Sequence, residues 1–256
     1  MRIYGRNPVL ERLKTNPQSI KKLFVQEGHP ETGYVQKKAR KHGIPMVSVP
    51  YSKILKLARN VNTQGILAET SDFAYVPFGE MAETALSKGQ TLVFLDGLND
   101  PQNLGSIIRG LSCLGGFGIV IPKHDSVDVT ESVLRVASGA DNFISVSRVS
   151  NLTQAIDTVK EAGFWAAGAV VEGGQDVRAV PLPFPLALVV GSEQKGIRDV
   201  VKKHLDVEVT IPMAHPRLSL NVAQATLVMA YEIFRQKRTS AAPSRAGASS
   251  GGEKHS

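Results

Sequence analysis

Thr91-Leu92-Val93-Phe94-Leu95, followed by Asn99-Asp100-Pro101-Gln102-Asn103-Leu104-Gly105-Ser106-Ile107-Ile108-Arg109, is the stretch that decides the fold. The first run has no polar alternation, the mark of a parallel strand buried on both faces. The Asn-, Asp- and Pro-rich loop after it opens a helix over Ser106 to Leu114. Asn103 can cap that helix, Gly105 permits close approach, and Arg109 lies on its first turns. The same strand–loop–helix unit recurs along the chain. Strands are expected at Gly118–Ile121, Phe143–Val146, Phe164–Val171, Leu186–Val190 and Val207–Pro212. Helices are expected near Thr130–Ala137, Leu152–Ala162, Ile197–His204 and Leu220–Lys237. Such a βα repeat predicts an α/β fold, a parallel sheet with helices on both faces. Ligands then bind at the C-terminal ends of the strands.

Two further loops fall at such ends. Gly191-Ser192-Glu193-Gln194-Lys195-Gly196 follows the buried run Leu186–Val190, and its glycines allow a tight turn with exposed backbone N–H groups. Ile211-Pro212-Met213-Ala214-His215-Pro216-Arg217-Leu218-Ser219-Leu220-Asn221 joins the last strand to the last helix. Neither G-x-G-x-x-G nor a P-loop is present, which removes support for a dinucleotide enzyme or an NTPase.

Upstream, the charge changes. The chain of 256 residues carries +7, but residues 1–70 hold 13 Lys or Arg against 4 Glu and no Asp. The remainder is slightly acidic. A basic first quarter points to a polyanion-binding module, with nucleic acid the leading ligand. That quarter reads as a small α/β unit. Asn7 caps a helix with Pro8 at its first position, and strands lie at Lys22–Val25, Ile44–Val49 and Gly65–Ala68. Basic helices span Tyr34–His42 and Ser52–Asn60. Lys37, Lys38, Arg40 and Lys41 ride on the first, and Lys53, Lys56 and Arg59 on the second. Aromatic residues do not interleave with them, so folded RNA suits them better than a stacked single strand.

The expected organisation is a basic RNA-binding domain over 1–72, a linker over 73–90 with a short helix from Glu80 to Ser87, a larger α/β domain over 91–238, which the resemblance given below implies is catalytic, and a disordered Ser/Ala/Gly-rich tail over 239–256. No run approaches 18 apolar residues, so no membrane span is expected. A single cysteine, Cys113, makes neither an internal disulfide nor a zinc site, and a cytosolic location follows. Cys113 and the lone Trp165 both read as core residues.

Together and in this order, the three loops resemble the three motifs of the SpoU (TrmH) family of RNA ribose 2′-O-methyltransferases. N-x-x-x-N-x-G-x-x-x-R is met by Asn99, Asn103, Gly105 and Arg109. The second motif matches at Val190-Gly191-Ser192-Glu193 and Gly196, and the third at Ile211-Pro212-Met213 and Ser219-Leu220-Asn221-Val222. The basic first domain resembles the substrate-binding domain of the branch that methylates guanosine in 23S ribosomal RNA. Asn62-Thr63-Gln64-Gly65 stands where that branch often has His-Gln-Gly. His215 departs from the family's usual Gly two residues after the Met, and Ala223 replaces a frequent Ser.

The resemblance implies a SPOUT fold with a C-terminal trefoil knot that holds S-adenosylmethionine, in a homodimer whose active site lies near the subunit interface. It implies catalytic roles for Arg109, Asn103, Glu193, Ser219 and Asn221. It places Gly191, Gly196, Ile211, Met213 and Leu220 against the cofactor. Ribosomal RNA would be the partner, with no metal and no membrane. A transfer-RNA substrate and a non-catalytic RNA-binding role are the rival readings.

Overall fold

A computed structural model describes residues 1–59, 61–215 and 218–241. The N-terminal unit runs β1 (Arg2–Tyr4), α1 (Arg6–Thr15), β2 (Ile20–Gln26), α2 (Thr32–Lys41), β3 (Met46–Val49), α3 (Tyr51–Leu57) and β4 (Ile66–Thr70). Its sheet has the order β1-β4-β2-β3. Alternation along β2 and β4 splits the core. Leu23, Val25, Ile66 and Ala68 pack with Val9, Leu13, Val35 and Ala39 of α1 and α2. Phe24 and Leu67 pack with Ile54 and Ala58 at α3. The two basic helices therefore cover opposite faces of the sheet.

Helix α1 begins at Arg6, behind a positive-φ Gly5, rather than at an Asn7 cap. β1, too short for any periodicity to reveal it, pairs with β4, and the Gly5 N–H donates to the Ile66 carbonyl at 3.1 Å. That anchor forces the turn one residue early, and Pro8 sits where N–H groups are unpaired anyway. The expected reach of α3 to Asn60 falls partly outside the described residues; the helix ends at Leu57.

After an extended segment, the chain forms α4 (Phe78–Ser87), β5 (Thr91–Asp96), α5 (Pro101–Leu114), β6 (Phe117–Pro122), α6 (Glu131–Ala137), a 3-10 turn (Ala140–Asn142), β7 (Ser145–Val149) and α7 (Leu152–Glu161). Then come β8 (Trp165–Ala169), β9 (Gln175–Asp176), β10 (Leu186–Gly191), α8 (Asp199–Lys202), β11 (Val207–Thr210) and α9 (Val222–Ala241). The seven strands form a parallel sheet of order β7-β6-β5-β10-β8-β11-β9. Every residue of β5, β6 and β10 is buried, as the unalternating runs predict. α5, α6 and α9 pack on one face, and α4, α7 and α8 on the other. Met81 and Ala85 of α4 are buried against Leu92 and Phe94, so the segment 73–90 contributes to this core.

Several expectations are corrected. Trp165 opens β8 at a strand end and is 46% exposed, and Cys113 is exposed on α5. The 3-10 turn takes up the chain through Asn142, so β7 starts at Ser145 rather than Phe143. α9 continues through Ala241, past the expected start of the tail at 239. The remainder of that tail, 242–256, lies outside the described residues.

Candidate active site

The order of the large sheet reverses at β5 and β10: β6 and β7 extend one way, while β8 and β11 extend the other. Such a switch point leaves a crevice beyond the strand ends. Gly191 and Asp96 are register partners there, at the last residues of the two strands.

The three predicted loops meet at this edge. α5 starts at Pro101, with Asp100 as its cap: the Asp100 carboxylate accepts from the Gln102 N–H at 2.8 Å. Asp before Pro is the ordinary helix start, so Asn103 does not cap. Its buried amide is free to donate to Glu193 Oε1 at 3.1 Å. Asn221 Nδ2 donates to Asn103 Oδ1 at 2.9 Å and also to Glu193 Oε1. Asn221 Oδ1 caps α9 by accepting from the Ala223 N–H at 2.9 Å. The Val222 N–H, at 3.4 Å, points at the same Glu193 oxygen. The Glu193 carboxylate, at the head of a 20-residue helix, is thus held as an acceptor by two amides and a backbone N–H. One residue from each motif is thereby locked to the other two.

Gly191 and Gly196 shape the second loop. The Ser192 N–H donates to the Gly196 carbonyl at 3.1 Å, and the Gly196 N–H returns to the Ser192 carbonyl at 2.9 Å. The turn is so tight that a Cβ on Gly191 would stand 2.0 Å from the Gly196 carbonyl carbon. Gly105 serves differently from expectation. A Cβ on it would reach Val136 Cβ at 2.5 Å, so its smallness admits α6 against α5 rather than a ligand.

Two clefts flank the turn 192–196. One, of about 580 Å³, is lined by all five residues expected to hold a cofactor, Gly191, Gly196, Ile211, Met213 and Leu220. Glu193, Ser219 and Asn221 also line it. Its apolar floor and backbone-rich rim suit a nucleoside-bearing cofactor. The other, of about 520 Å³, is lined by Asn99, Asp100, Asn103 and His124 on one side and by Glu193, Lys195 and Arg198 on the other. His215 is exposed and lines neither cleft. Its neighbours Pro216 and Arg217 lie outside the described residues.

Arg109 also lines neither cleft. It is exposed on α5 and has no hydrogen-bond or ion-pair partner among the described residues. The sequence reading missed Asp96 and Arg198. Asp96 is 1% exposed at the tip of β5; it accepts from Arg198 Nε at 2.7 Å and from the Arg198 N–H at 2.9 Å. An acidic residue ending a buried parallel strand was the available signal. Lys37, Arg40, Lys41, Lys53, Lys56 and Arg59 are exposed and Lys38 is half-buried, and none makes an ion pair among the described residues.

Residues 90–231 match the model of the SpoU rRNA Methylase family. The chain belongs to this family. Residues 2–76 match a second model, RNA 2′-O ribose methyltransferase substrate binding. A protein of Staphylococcus haemolyticus assigned to the TrmH family of tRNA/rRNA methyltransferases is 36% identical over 239 residues, covering 92% of this chain and 95% of that one. A Bacillus subtilis protein of the same assignment is 35% identical, with the same coverage. The AdoMet-bound rRNA methyltransferase from Sinorhizobium meliloti superposes with a TM-score of 0.77 at 26% identity, covering 91% of this chain and 86% of that one. The SpoU methyltransferase AviRb from Streptomyces viridochromogenes shares the fold with a TM-score of 0.76 at 22% identity, over 93% and 91% of the two chains. This SpoU-family chain is an S-adenosylmethionine-dependent RNA methyltransferase.

The cradle fits that cofactor. S-adenosylmethionine supplies an electrophilic methyl on a sulfonium sulfur. Gly191 and Gly196 leave backbone uncovered on the wall of the larger cleft, and Ile211, Met213 and Leu220 give it an apolar lining; these are the residues that would hold the group. Among the described residues no group of His, Cys, Asp and Glu could hold a metal ion, and no helix is long and apolar enough to cross a membrane.

Proposed function

We propose that this enzyme methylates a ribose 2′-hydroxyl, that of a guanosine in 23S ribosomal RNA, in the cytosol. The observation that carries the reaction is the Asn103–Glu193–Asn221 lock standing between two clefts, one fitted to the cofactor and one open for a nucleotide. The basic module over 1–72 carries seven cations on α2, α3 and the turn after it, without ion pairs among the described residues. That density of charge favours a large folded RNA over transfer RNA.

For in-line transfer the ribose hydroxyl would have to be held within about 3–3.5 Å of the methyl carbon, with the neutral thioether of the cofactor as the leaving group when the methyl–sulfur bond breaks. Asn103, whose amide keeps one uncommitted N–H, orients the ribose, and Asn221 and Glu193 fix that amide in place. Ser219 adds a hydroxyl at the rim. Arg109 clamps the neighbouring phosphate and stabilises the developing alkoxide, while water takes the proton. A guanidinium holds its proton at neutral pH, so it is a poor base but a good anion partner.

Because Arg109 lines neither cleft of its own chain, the site is completed in a homodimer. Its interface is the exposed apolar stripe Leu227, Val228 and Tyr231 of α9, whose Leu227 lies over Gly110, the neighbour of Arg109. The knot of the family, formed by the chain from β10 to α9, would enclose the cofactor cleft.

The test is transfer of labelled methyl to unmodified large-subunit rRNA and, separately, to bulk transfer RNA, with 2′-O-methyl mapping of the product. Label on rRNA that vanishes in Arg109→Ala is expected. Label on transfer RNA alone overturns the substrate; no label on either, with cofactor bound, overturns the catalytic reading. Tyr231→Asp is expected to give a monomer by light scattering and to lose transfer together with dimerisation.

A further inference from the structure

The basic module is fastened to the catalytic domain along a seam that a linker alone does not require. Arg12 of α1 pairs with Asp141 in the 3-10 turn Ala140–Asn142, and the two side chains are only 10% and 3% exposed. The Arg2 N–H donates to Glu131 Oε1, at the start of α6, at 2.7 Å. The Arg135 guanidinium stands 5.8 Å from the Tyr4 ring. Gly139, with φ +91°, admits α1 so closely that a Cβ there would lie 2.9 Å from Glu11 Cβ. The turn is bonded onward to α5, where the Ser112 hydroxyl lies 2.9 Å from the Ala140 carbonyl oxygen. α5 carries Asn103 and Arg109. A continuous path of contacts thus runs from the basic module, through one turn, to the helix bearing two of the site's groups.

Stability does not account for the pair at the centre of this seam. Two charges taken out of water recover little net free energy, and apolar residues of the same volume would do as well. Arg12 Nε is itself buried without a hydrogen-bond partner among the described residues. In some proteins a buried pair of this kind fixes one register between the surfaces that carry it.

We propose that Arg12 and Asp141 are positioning residues for methyl transfer: they latch the RNA-binding module in one orientation against α6 and the turn Ala140–Asn142, which is bonded in turn to α5. RNA held by the module then meets the reaction centre at a fixed distance. A module on a free tether would present the same RNA in many orientations, few of them within reach of the methyl group. This inference rests on reading residues 1–72 as the RNA-binding module.

The test uses the full-length chain, with a structured fragment of unmodified large-subunit rRNA as substrate. Arg12→Met and Asp141→Asn are each expected to raise the radius of gyration in X-ray scattering and to open the segment 71–77 to protease. kcat should fall at least tenfold, while the dissociation constants of the RNA fragment and of S-adenosylmethionine stay within threefold. The reversed pair, Arg12→Glu with Asp141→Arg, should restore compactness and bring kcat within threefold of the native enzyme. A merely structural role would lower cofactor binding and kcat together and would not separate them. Undocked variants with native kcat would overturn the proposal, as would single variants that stay compact and active, or a folded reversed pair that stays slow. Should the single variants fail to fold, the reversed pair decides alone, because it leaves no charge uncompensated. Should the native enzyme transfer to no RNA, the functional reading fails separately; the latch still falls if both single variants scatter like the native chain.

Discussion

The two halves of this molecule handle polar groups in opposite ways. At the edge of the large sheet, Asn103, Glu193 and Asn221 satisfy one another before any substrate arrives. In the basic module, Lys37, Arg40, Lys41, Lys53, Lys56 and Arg59 project into solvent, with no ion pair among the described residues. The first arrangement fixes geometry and forfeits adaptability. The second supplies long-range attraction and leaves geometry to the RNA. Chemistry needs atoms placed to within a fraction of an ångström; capture of a polyanion needs only charge of the right sign at the right density. Substitutions in the first half should therefore cost rate, and those in the second should cost affinity.

The largest effect is expected from Asn103→Asp. It replaces a donor with a second carboxylate beside Glu193 and removes the lock without changing volume. A fall in kcat of about 10²–10³-fold is expected, the range for losing one preorganised polar group. Cofactor affinity should move less than threefold.

Next is Gly191. Gly191→Ala drives a methyl group into the Gly196 backbone, which has nowhere to retreat inside a five-residue turn. Calorimetry should show S-adenosylmethionine affinity falling by about 10–100-fold, the equivalent of the roughly 1–3 kcal/mol that overpacking of this kind costs. Native affinity would mean that the turn opens freely, and the rigid half of the comparison would break.

The double substitution Lys37→Glu/Lys41→Glu should instead raise the dissociation constant for RNA about tenfold and leave kcat at saturating RNA unchanged. The slope of log K against log salt should fall by about 1.5, roughly 0.7–0.9 for each phosphate no longer neutralised. A change in kcat would erase the division of labour between the halves. The smallest effect is expected from Lys53→Ala alone, about a two- to threefold loss of RNA affinity that vanishes at high salt.

The same contrast explains what could be read from sequence. β5 and β10 announce themselves because burial on both faces removes every polar residue from the run, and the three loops after such strands mark the site. Their pairing is harder to see. Asn103 and Glu193 stand ninety residues apart in sequence, and Asp96 and Arg198 more than a hundred; only the parallel order of β5 and β10 brings them together. Gly105 was legible as important but not as to purpose, since nothing local reveals that α6 will lie against it. Trp165 and Cys113 misled because residue type sets only a bias toward burial, while a strand's first residue and a helix's outer face are decided by what packs over them. In the basic module the charge asymmetry was plain from composition, but the placement of α2 and α3 on opposite faces of the sheet was not. Alternation in β2 and β4 records two buried faces without saying which helix covers which.

The turn 192–196 is a party wall, with one face toward each cleft. A ligand that stiffens it from the cofactor side alters the free energy of binding on the other side, and linkage makes the influence reciprocal: each ligand changes the other's affinity by the same factor. These five residues are the shared wall through which such a coupling would run.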